Sequence, residues 1–543
     1  EHGWEGTVCP VFSELTPAGI KEITKITLGL ELKTQMRAVS KIAKLVAEMD
    51  HPDAEMLAGL IEAGDLESIN KLVAARFEGE PIFDVGSPKQ MKAFLYDMLG
   101  LPVRIVNNCT PKERTENREL YAAVSRHKKI WAGSETEPPI TDEEMQLLKL
   151  KAKTDDTAVD FALAMDRPGC PILHAFQKMK KCSTRQSLFY NTYKTILHWK
   201  DNKVHGQAGQ SRTVTRRFAP SDPNLAQLPK KGEGVKFREC FLPHHKDAVM
   251  VSIDFSGQEL RQGAGQSLDP NMLACFVGDN LKDMHSMTAA GAMEKKWGKT
   301  VLAEMIERFG KPGDAEYDLF LRLRKCKEDE VVAKMADDLR KNAKNVNFGA
   351  QYDAQAPKLA ETLIIPVADA QAFLEAKFAM FPRFEEWKEE VKAEIGRLGY
   401  VTTCMGARRH LREAILSDNK WDIEKAMRQG PNFRIQGSSA EQTKLAMARV
   451  WRSGVLWKYD VVFFAPIHDE LVFSVHRDHA LEVIKIFHDA MVEPYGNLPV
   501  PFLGSISLGP NFGKQYEAGD WYIEENIKEI LAKIFSGEVA EVV

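Results

Sequence analysis

Two carboxylates stand where strand-like segments end. Asp254 ends the apolar segment 248–254. Asp469 lies beside Glu470 at the turn of a predicted β-hairpin over 461–475. If both strands belong to one sheet, the two aspartates converge at its edge, where they repel each other unless a cation lies between them; oxygen ligands of this kind suit Mg²⁺. Such ions would activate a hydroxyl and stabilise a leaving pyrophosphate, although an acid at a strand end is more often an ordinary turn residue.

A second pattern combines cations with aromatic rings. Arg340, Lys344, Phe348 and Tyr352 recur every four residues, so that they share one face of a predicted helix. Cations suit a triphosphate and a flat ring suits a nucleobase. The alternative is an amphipathic surface helix with its aromatic side chains in the core.

Charge is unevenly distributed. The net charge of −4 predicts no nucleic-acid partner, but residues 177–240 contain 14 Lys and Arg against 4 Asp and Glu. This segment could hold a polyanion or form a solvated basic face. Within it, Arg217 and Asn224 flank a turn-rich stretch and could contact phosphates or base edges. A structural turn explains the sequence around Asn224 equally well.

A third polar pattern occurs near residue 430. Asn432 and Gln436 follow Arg428 at helical spacing. Amides with an arginine suit the edges of base pairs in the minor groove, where the acceptors are similar for every pair. Polarity of a helix surface is the alternative.

The order of these patterns resembles that of the family A DNA polymerases. Residues 251–261, 340–352 and 468–470 look like the family's motifs A, B and C. The resemblance extends over most of the chain through five shorter segments: 11–15, 86–90, 217–229, 282–285 and 436–437.

The resemblance implies a metal site. Asp254 and Asp469 would hold two Mg²⁺ ions, with Mn²⁺ as a substitute, and Glu470 would be a nearby helper carboxylate. Ile253, next to Asp254, is a further predicted metal ligand.

The resemblance also implies a nucleotide site. Arg340 and Lys344 would grip the incoming triphosphate, with Lys344 placed to protonate the pyrophosphate and His285 assisting. Phe348 would stack on the incoming nucleotide, and Tyr352 would line the template-base pocket.

Further residues would select the sugar and hold DNA. Glu259 would be the steric gate against a ribose 2′-hydroxyl, and His468 would position the primer terminus. The remaining predicted DNA-binding residues would contact the primer–template: Arg217, Asn224, Arg428, Asn432 and Gln436.

The chain departs from the family pattern at several positions. Gln258 stands where an aliphatic residue is expected, Asp353 where Gly is usual and Phe255 where Tyr is common. A charged insertion covers about 294–332. We predict that Gln258 and Asp353 alter template-base handling, and Gln258 is included among the nucleotide-binding residues.

The expected fold is α+β and mainly α-helical, of the right-hand polymerase type. We expect an N-terminal segment and helical thumb at 1–204, a first part of the palm with motif A at 205–275, helical fingers with motif B and the insertion at 276–398, and a second part of the palm with motif C at 399–543. The antiparallel sheet of the palm would carry both Asp254 and Asp469. Helical spacing of apolar residues predicts helices over 15–76, and the resemblance assigns them to the thumb.

Composition narrows the setting. The chain is 44% hydrophobic and 28% charged, which is typical of a globular protein, and has no membrane-length apolar run. Its eight cysteines form no Cys-x-x-Cys pair and no Cys/His cluster, which argues against zinc or disulfides and favours the cytoplasm, the host's if the protein is phage-encoded. Because the chain begins at Glu1, we expect a fragment or processed product, without proofreading activity.

The predicted activity is primer-dependent DNA synthesis from dNTPs, in phage replication, by a monomer that binds primer–template DNA. The alternatives are a phage-type single-subunit RNA polymerase and a catalytically silent primer–template binding protein. Glu259, Phe348 and Glu470 favour DNA synthesis over RNA synthesis.

Overall fold

The computed structural model describes residues 55, 59, 87–130, 141–167, 169–198, 203–230, 235–351 and 353–536. The chain divides into two compact units. The first comprises Glu1–Gln186 with Gln355–Gln371, and the second comprises Ser187–Ala354 with Ala372–Val543. The predicted domain boundaries do not coincide with this division and stay a prediction. No helix in the described ranges is both long and apolar enough to span a bilayer.

The described residues up to 198 form helices, several of which continue into a π-helical turn. Their bounds are α1 Pro88–Lys92, α2 Pro111–Glu116, α3 Arg118–Ile130, α4 Asp142–Lys151, α5 Asp156–Phe161, α6 Pro171–Arg185 and α7 Thr192–Ile196. At the beginning of α1, Ser87 caps the helix and Pro88 occupies its first turn.

The second unit contains an antiparallel sheet of five strands, in the order β6–β7–β3–β8–β9. Its strands are β3 Ala248–Phe255, β6 Val462–Ile467, β7 Glu470–His476, β8 Gly504–Gly509 and β9 Tyr516–Gly519. Two small hairpins also occur, formed by β1 Gln207–Gly209 with β2 Ala219–Ser221 and by β4 Tyr400–Thr402 with β5 Arg408–His410.

The remaining described helices belong to the second unit, except where they fall within residues 355–371, which belong to the first. In chain order they are α8 Val235–Arg238, α9 Gln258–Ser267, α10 Pro270–Leu273, α11 Met284–Trp297, α12 Lys299–Phe309, α13 Glu316–Arg324, α14 Glu330–Gln351, α15 Ala356–Leu363, α16 Val367–Met380, α17 Pro382–Leu398, α18 Arg412–Ile415, α19 Lys420–Arg452, α20 Val455–Lys458, α21 Ala480–Val492 and α22 Glu524–Phe535.

The central strand β3 is buried because apolar side chains cover both its faces. Val249, Val251 and Ile253 are fully buried on one face and pack in one cluster with Phe473 of β7 and Ile506 of β8. Met250, on the opposite face, is buried in a second apolar cluster. β3 is also hydrogen-bonded to β7 along one edge and to β8 along the other. The carboxylate at its end therefore has a fixed position.

Most local predictions within the described residues are confirmed. The strand at 248–254 and the hairpin around 468–469 occur, and the segment 276–398 is largely helical as expected. Strands β8 and β9 were not predicted. The thumb helices expected over 15–76 lie outside the described residues, except for the isolated positions 55 and 59.

Candidate functional site

The two predicted aspartates meet at one end of the sheet. β3 and β7 are antiparallel neighbours, and their register places Asp254 opposite Glu470. Asp469 lies in the two-residue turn between β6 and β7, where its carbonyl oxygen accepts a hydrogen bond of 3.4 Å from the N–H of Phe255. The turn is tight because His468 adopts the left-handed conformation, with φ of 60°. The expected convergence is therefore observed, because both aspartates stand at one end of the β3–β7 pair.

The carboxylates at this end of the sheet repel one another. Burial, the charge of Asp469 and the charge of Glu470 raise the pKa of Asp254 to about 7. The Oδ1 atom of Asp254 is buried, and no donor among the described residues reaches it. A buried acceptor without a partner, beside two further carboxylates, fits a bound cation. All the atoms that these side chains offer to a metal are carboxylate oxygens, which suit a hard divalent ion.

Lys230 is a contributor that the sequence patterns did not single out. Its Nζ donates to Oε2 of Glu470 at 3.1 Å, and its charge partly offsets the repulsion at Asp254. Glu470 is only 5% exposed. The basic character of 177–240 was the one available signal, and it does not distinguish Lys230 from its neighbours.

Ile253 can offer a metal only its backbone oxygen. Its side chain is fully buried. Its backbone pairs with Leu471 on one side and Ile506 on the other, within the sheet. Of the three predicted ligands, Ile253 thus has the least support from its surroundings.

Helix α14 carries the predicted triphosphate-binding residues. The guanidinium of Arg340 donates to both carboxylate oxygens of Asp283, at 2.6 and 3.1 Å. Lys344 is exposed and makes no ion pair with a described residue. Phe348 is half-buried at the edge of an apolar cluster. Tyr352 lies outside the described residues. Of the two cations, Lys344 is thus the one open to a ligand, whereas Arg340 is already engaged.

His285 lies in the first turn of α11, and its side chain faces α14. Its Nδ1 is 3.1 Å from the Nδ2 of Asn347, and its ring centroid is 5.8 Å from that of Phe348. Burial lowers the pKa of His285 to about 4, and the positive charges of Arg340 and Lys344 act in the same direction. The imidazole is therefore neutral near pH 7.

Glu259 stands at the start of α9, close to the carboxylates. Its side chain forms an ion pair with Arg217. Burial raises the pKa of Glu259, with Arg217 opposing and Asp469 adding to the shift. The Nε2 of Gln351, at the end of α14, donates to the backbone oxygen of Glu259 at 3.2 Å. This bond connects the cation-bearing helix to the segment that follows β3.

Gln258 has contacts of a different kind from those predicted. It is 3% exposed, and its Nε2 donates to the backbone oxygen of Ser439 and to the side chains of Gln442 and Thr443 on α19. These bonds join α9 to α19 inside the unit. A direct contact of Gln258 with a nucleotide stays a prediction, and the contacts observed here do not support it.

Asp353 follows α14 directly and adopts the left-handed conformation, with φ of 55°. Its carboxylate pairs with Lys388 at 2.8 Å and Lys392 at 3.4 Å, both on α17. Although burial acts against it, these two charges hold the pKa of Asp353 below its ordinary value. Because the side chain of Lys388 is only 3% exposed, the pair fixes the end of α14 to α17.

The predicted DNA-binding residues fall into two groups. Arg428, Asn432 and Gln436 lie four residues apart on α19 and share one face of it. The Oδ1 of Asn432 is buried, with no donor among the described residues. On the other hand, Arg217 pairs with Glu259, and the Oδ1 of Asn224 accepts the N–H of Ala226 to cap a short 3₁₀ helix.

The helix α19 approaches its neighbours closely at its glycine positions. A Cβ atom on Gly437 would lie 2.7 Å from Cγ2 of Thr403. The absence of a side chain at Gly437 therefore allows α19 to approach Thr403, which directly follows β4. His468, the last predicted DNA-binding residue, is exposed at the turn beside Asp469.

The chain is similar in sequence to known proteins. Residues 139–308 and 300–514 match the model of DNA polymerase family A. The chain is 26% identical to the thermostable DNA polymerase I of Thermus aquaticus over 477 residues, which are 87% of this chain and 47% of that protein. It is 28% identical to DNA polymerase I of Streptococcus pneumoniae over 496 residues, covering 88% and 46%. The chain thus spans about half the length of these relatives.

A solved structure shows the same fold. It is the POL domain of Pol1 from M. smegmatis in complex with DNA primer-template and dNTP, with a TM-score of 0.54 and 22% identity, covering 93% of this chain and 81% of that one. The fold is accordingly the α+β polymerase fold, mainly helical with an antiparallel sheet. Since the family model matches more than half of the sequence, the chain belongs to DNA polymerase family A.

Proposed function

We propose that this chain catalyses template-directed, primer-dependent DNA synthesis from dNTPs. The observation that carries the proposal is the meeting of Asp254 and Asp469 at one end of the sheet, with a buried oxygen of Asp254 left without a donor in the described structure. Nucleotidyl transfer depends mainly on positioning and on neutralised charge. A carboxylate pair near a cation-bearing helix supports both.

Asp254 and Asp469 would hold divalent metal ions, for which Mg²⁺ is the proposed species and Mn²⁺ a substitute. Bound there, the ions would lower the pKa of the primer's 3′-hydroxyl and neutralise charge on the pyrophosphate. Glu470, held by Lys230, would remain beside the ligands as a further negative charge.

The residues of α14 would bind the triphosphate. Lys344 is exposed and can reach a phosphate without breaking an ion pair to a described residue. Arg340 would exchange its two bonds with Asp283 for bonds to phosphate oxygens. His285, neutral at pH 7, would donate or accept one hydrogen bond, and Phe348 would stack on the base. Tyr352 keeps its predicted place in the template-base pocket.

Glu259 would exclude the ribose 2′-hydroxyl. Its side chain is half-buried beside Asp469, and the ion pair with Arg217 limits its movement. A fixed side chain at the sugar position discriminates more strongly than a mobile one. We propose that Arg217 acts on the sugar indirectly, by positioning Glu259.

The face of α19 with Arg428, Asn432 and Gln436 would contact the primer–template. The buried, unsatisfied Oδ1 of Asn432 supports a polar partner at this face. His468 would contact the primer terminus from the exposed turn. Asn224 would keep its loop in shape, because its side chain caps the 3₁₀ helix.

The two alternatives differ from this proposal in what they synthesise. An RNA polymerase would extend with ribonucleotides, and a silent binding protein would extend with neither. The ion pair of Glu259 at the sugar position favours DNA synthesis. The relatives named above are bacterial, so that a role in phage replication stays a prediction, as do the cytoplasmic location and the monomeric state.

Primer extension on a defined template tests the function. With Mg²⁺ we expect synthesis from dNTPs, little from ribonucleotides and none in excess EDTA. Extension only with ribonucleotides would favour the RNA polymerase, and binding of primer–template without any extension would refute the enzyme.

A further inference from the structure

A second group of possible metal ligands lies at the other end of the β3–β7 pair. Ala248, the first residue of β3, pairs with His476, the last residue of β7. His245 and Asp247 lie just before β3. One nitrogen or oxygen atom from each of His245, Asp247 and His476 falls within 4.8 Å of the others. Two imidazoles and a carboxylate thus converge on one small volume.

Backbone and side-chain bonds hold the segment before β3 in place. The N–H and the ring Nδ1 of His244 both contact the Oγ of Ser474 on β7, at 3.2 and 2.7 Å. The N–H of Arg477 donates to the carbonyl oxygen of Asp247 at 2.9 Å. The three ligand residues are therefore close together before any ion binds, and little chain entropy remains to be lost.

The group is accessible, and the contacts that a metal would replace are weak. The side chain of His245 is 51% exposed and that of Asp247 is 30% exposed. The two histidine Nδ1 atoms accept backbone N–H groups at 3.1 and 3.3 Å, and the guanidinium of Arg477 is 3.7 Å from Asp247. Ligation through Nε2 would move each ring proton to Nδ1 and give up these two long contacts.

We propose that His245, Asp247 and His476 bind one divalent transition-metal ion of the Zn²⁺ type. Two nitrogens and one carboxylate oxygen, with water in the fourth position, form a common tetrahedral set. Mg²⁺ prefers oxygen ligands throughout and is disfavoured here. Because β3 is 8 residues long, about 20 Å separates this site from Asp254. The ion would tie the segment before β3 to the end of β7.

Metal titration of the full chain tests the site. Protein stripped with chelator is titrated with Co²⁺, followed by the visible absorption of tetrahedral cobalt, and with Zn²⁺ by calorimetry. We expect one tight equivalent in the unmodified protein. In H245A and H476A the affinity should fall at least about 10- to 100-fold, as when partners of metal ligands are lost.

The control variant is H479A, whose ring lies 6.2 Å from that of His476 and outside the proposed set. The cysteines and the carboxylates around Asp254 are present in every variant, so any metal that they bind contributes equally to all the titrations. Thermal melting in EDTA verifies that each variant folds, and extension with Mg²⁺ should be unchanged in H245A. The same metal affinity and stoichiometry in the unmodified protein, H245A and H476A would overturn the site. Loss of the tightly bound equivalent in H479A would also overturn it.

Discussion

The two ends of the β3–β7 strand pair present different ligands on one backbone ladder. At one end Asp254 and Asp469 supply only oxygen atoms, and Asp254 is largely buried. At the other end His245, Asp247 and His476 supply nitrogen and oxygen and remain accessible. The antiparallel register determines both positions. Donor type and burial then determine the chemistry that each end can support.

The difference also concerns stability. Buried carboxylates that repel one another cost free energy until a cation binds, which is a common price of a prepared reactive site. The histidine end carries no such cost, because its side chains are solvated and hydrogen-bonded. Substitutions at the carboxylate end should therefore change mainly the rate of DNA synthesis, and those at the histidine end mainly the stability of the fold.

The largest effect is expected at the carboxylate end. Asp254→Asn or Asp469→Asn should reduce the rate of primer extension about a thousandfold or more, because charge stabilisation of the reacting phosphate is lost. Single-turnover extension measures the rate. Asp460→Asn, an exposed aspartate before β6, is the matched control. A near-normal rate in either site variant would refute the metal assignment.

The second-largest effect on DNA synthesis is expected from a substitution on α14. Lys344→Ala should lower kcat/KM for dNTP about a hundredfold, because both a phosphate contact and a proton donor are removed. Lys341→Ala is the control, since Lys341 is exposed on the same helix and pairs with Asp338 at 2.9 Å. Equal losses in the two variants would show that only the general charge of the helix matters.

The gate beside the carboxylates predicts a change in selectivity. Glu259→Ala should reduce discrimination against ribonucleotides by about tenfold or more, by opening space at the sugar. The ratio of kcat/KM for a deoxynucleotide and its ribonucleotide measures this effect. Glu441→Ala, which breaks the neighbouring ion pair with Arg216, is the control and should leave the ratio unchanged. An unaltered ratio in Glu259→Ala would contradict the gate.

The smallest effect is expected at the histidine end. Ser474→Ala should lower the free energy of unfolding by about 1 kcal/mol, because the buried hydroxyl that contacts His244 is removed. Urea denaturation in EDTA measures the loss. Mg²⁺-dependent extension should remain near normal, and a large loss of extension would show that the two ends are not independent.

Sequence patterns predicted the parts of the site that depend on local structure. A strand that ends in Asp254 and a hairpin that turns at Asp469 are recognisable from apolar runs and their interruptions. Strands β8 and β9 gave no comparable signal. The family resemblance supplied the order of the motifs and hence the fold.

Contacts between distant segments could not be predicted. Arg340 and Asp283 are 57 residues apart, and only the packing of α11 against α14 brings them together. The same applies to His245 and His476, which are far apart in the sequence and therefore form no local group of metal-ligand residues. Gln258 shows the opposite case, because its position beside Glu259 in motif A suggested a ligand contact whereas the side chain packs against α19.

The bond from Asp353 to Lys388 has a mechanical consequence. If Arg340 leaves Asp283, a swing of α14 about its anchored C-terminal end would displace each residue in proportion to its distance from that end. At about 1.5 Å per residue, Arg340 lies roughly 20 Å from the pivot and Phe348 about 7.5 Å. Any rotation of α14 would carry the cation through an arc more than twice as long as that of the ring. The protein groups at the phosphate end of a nucleotide would then be displaced most, and those at the base would be displaced least.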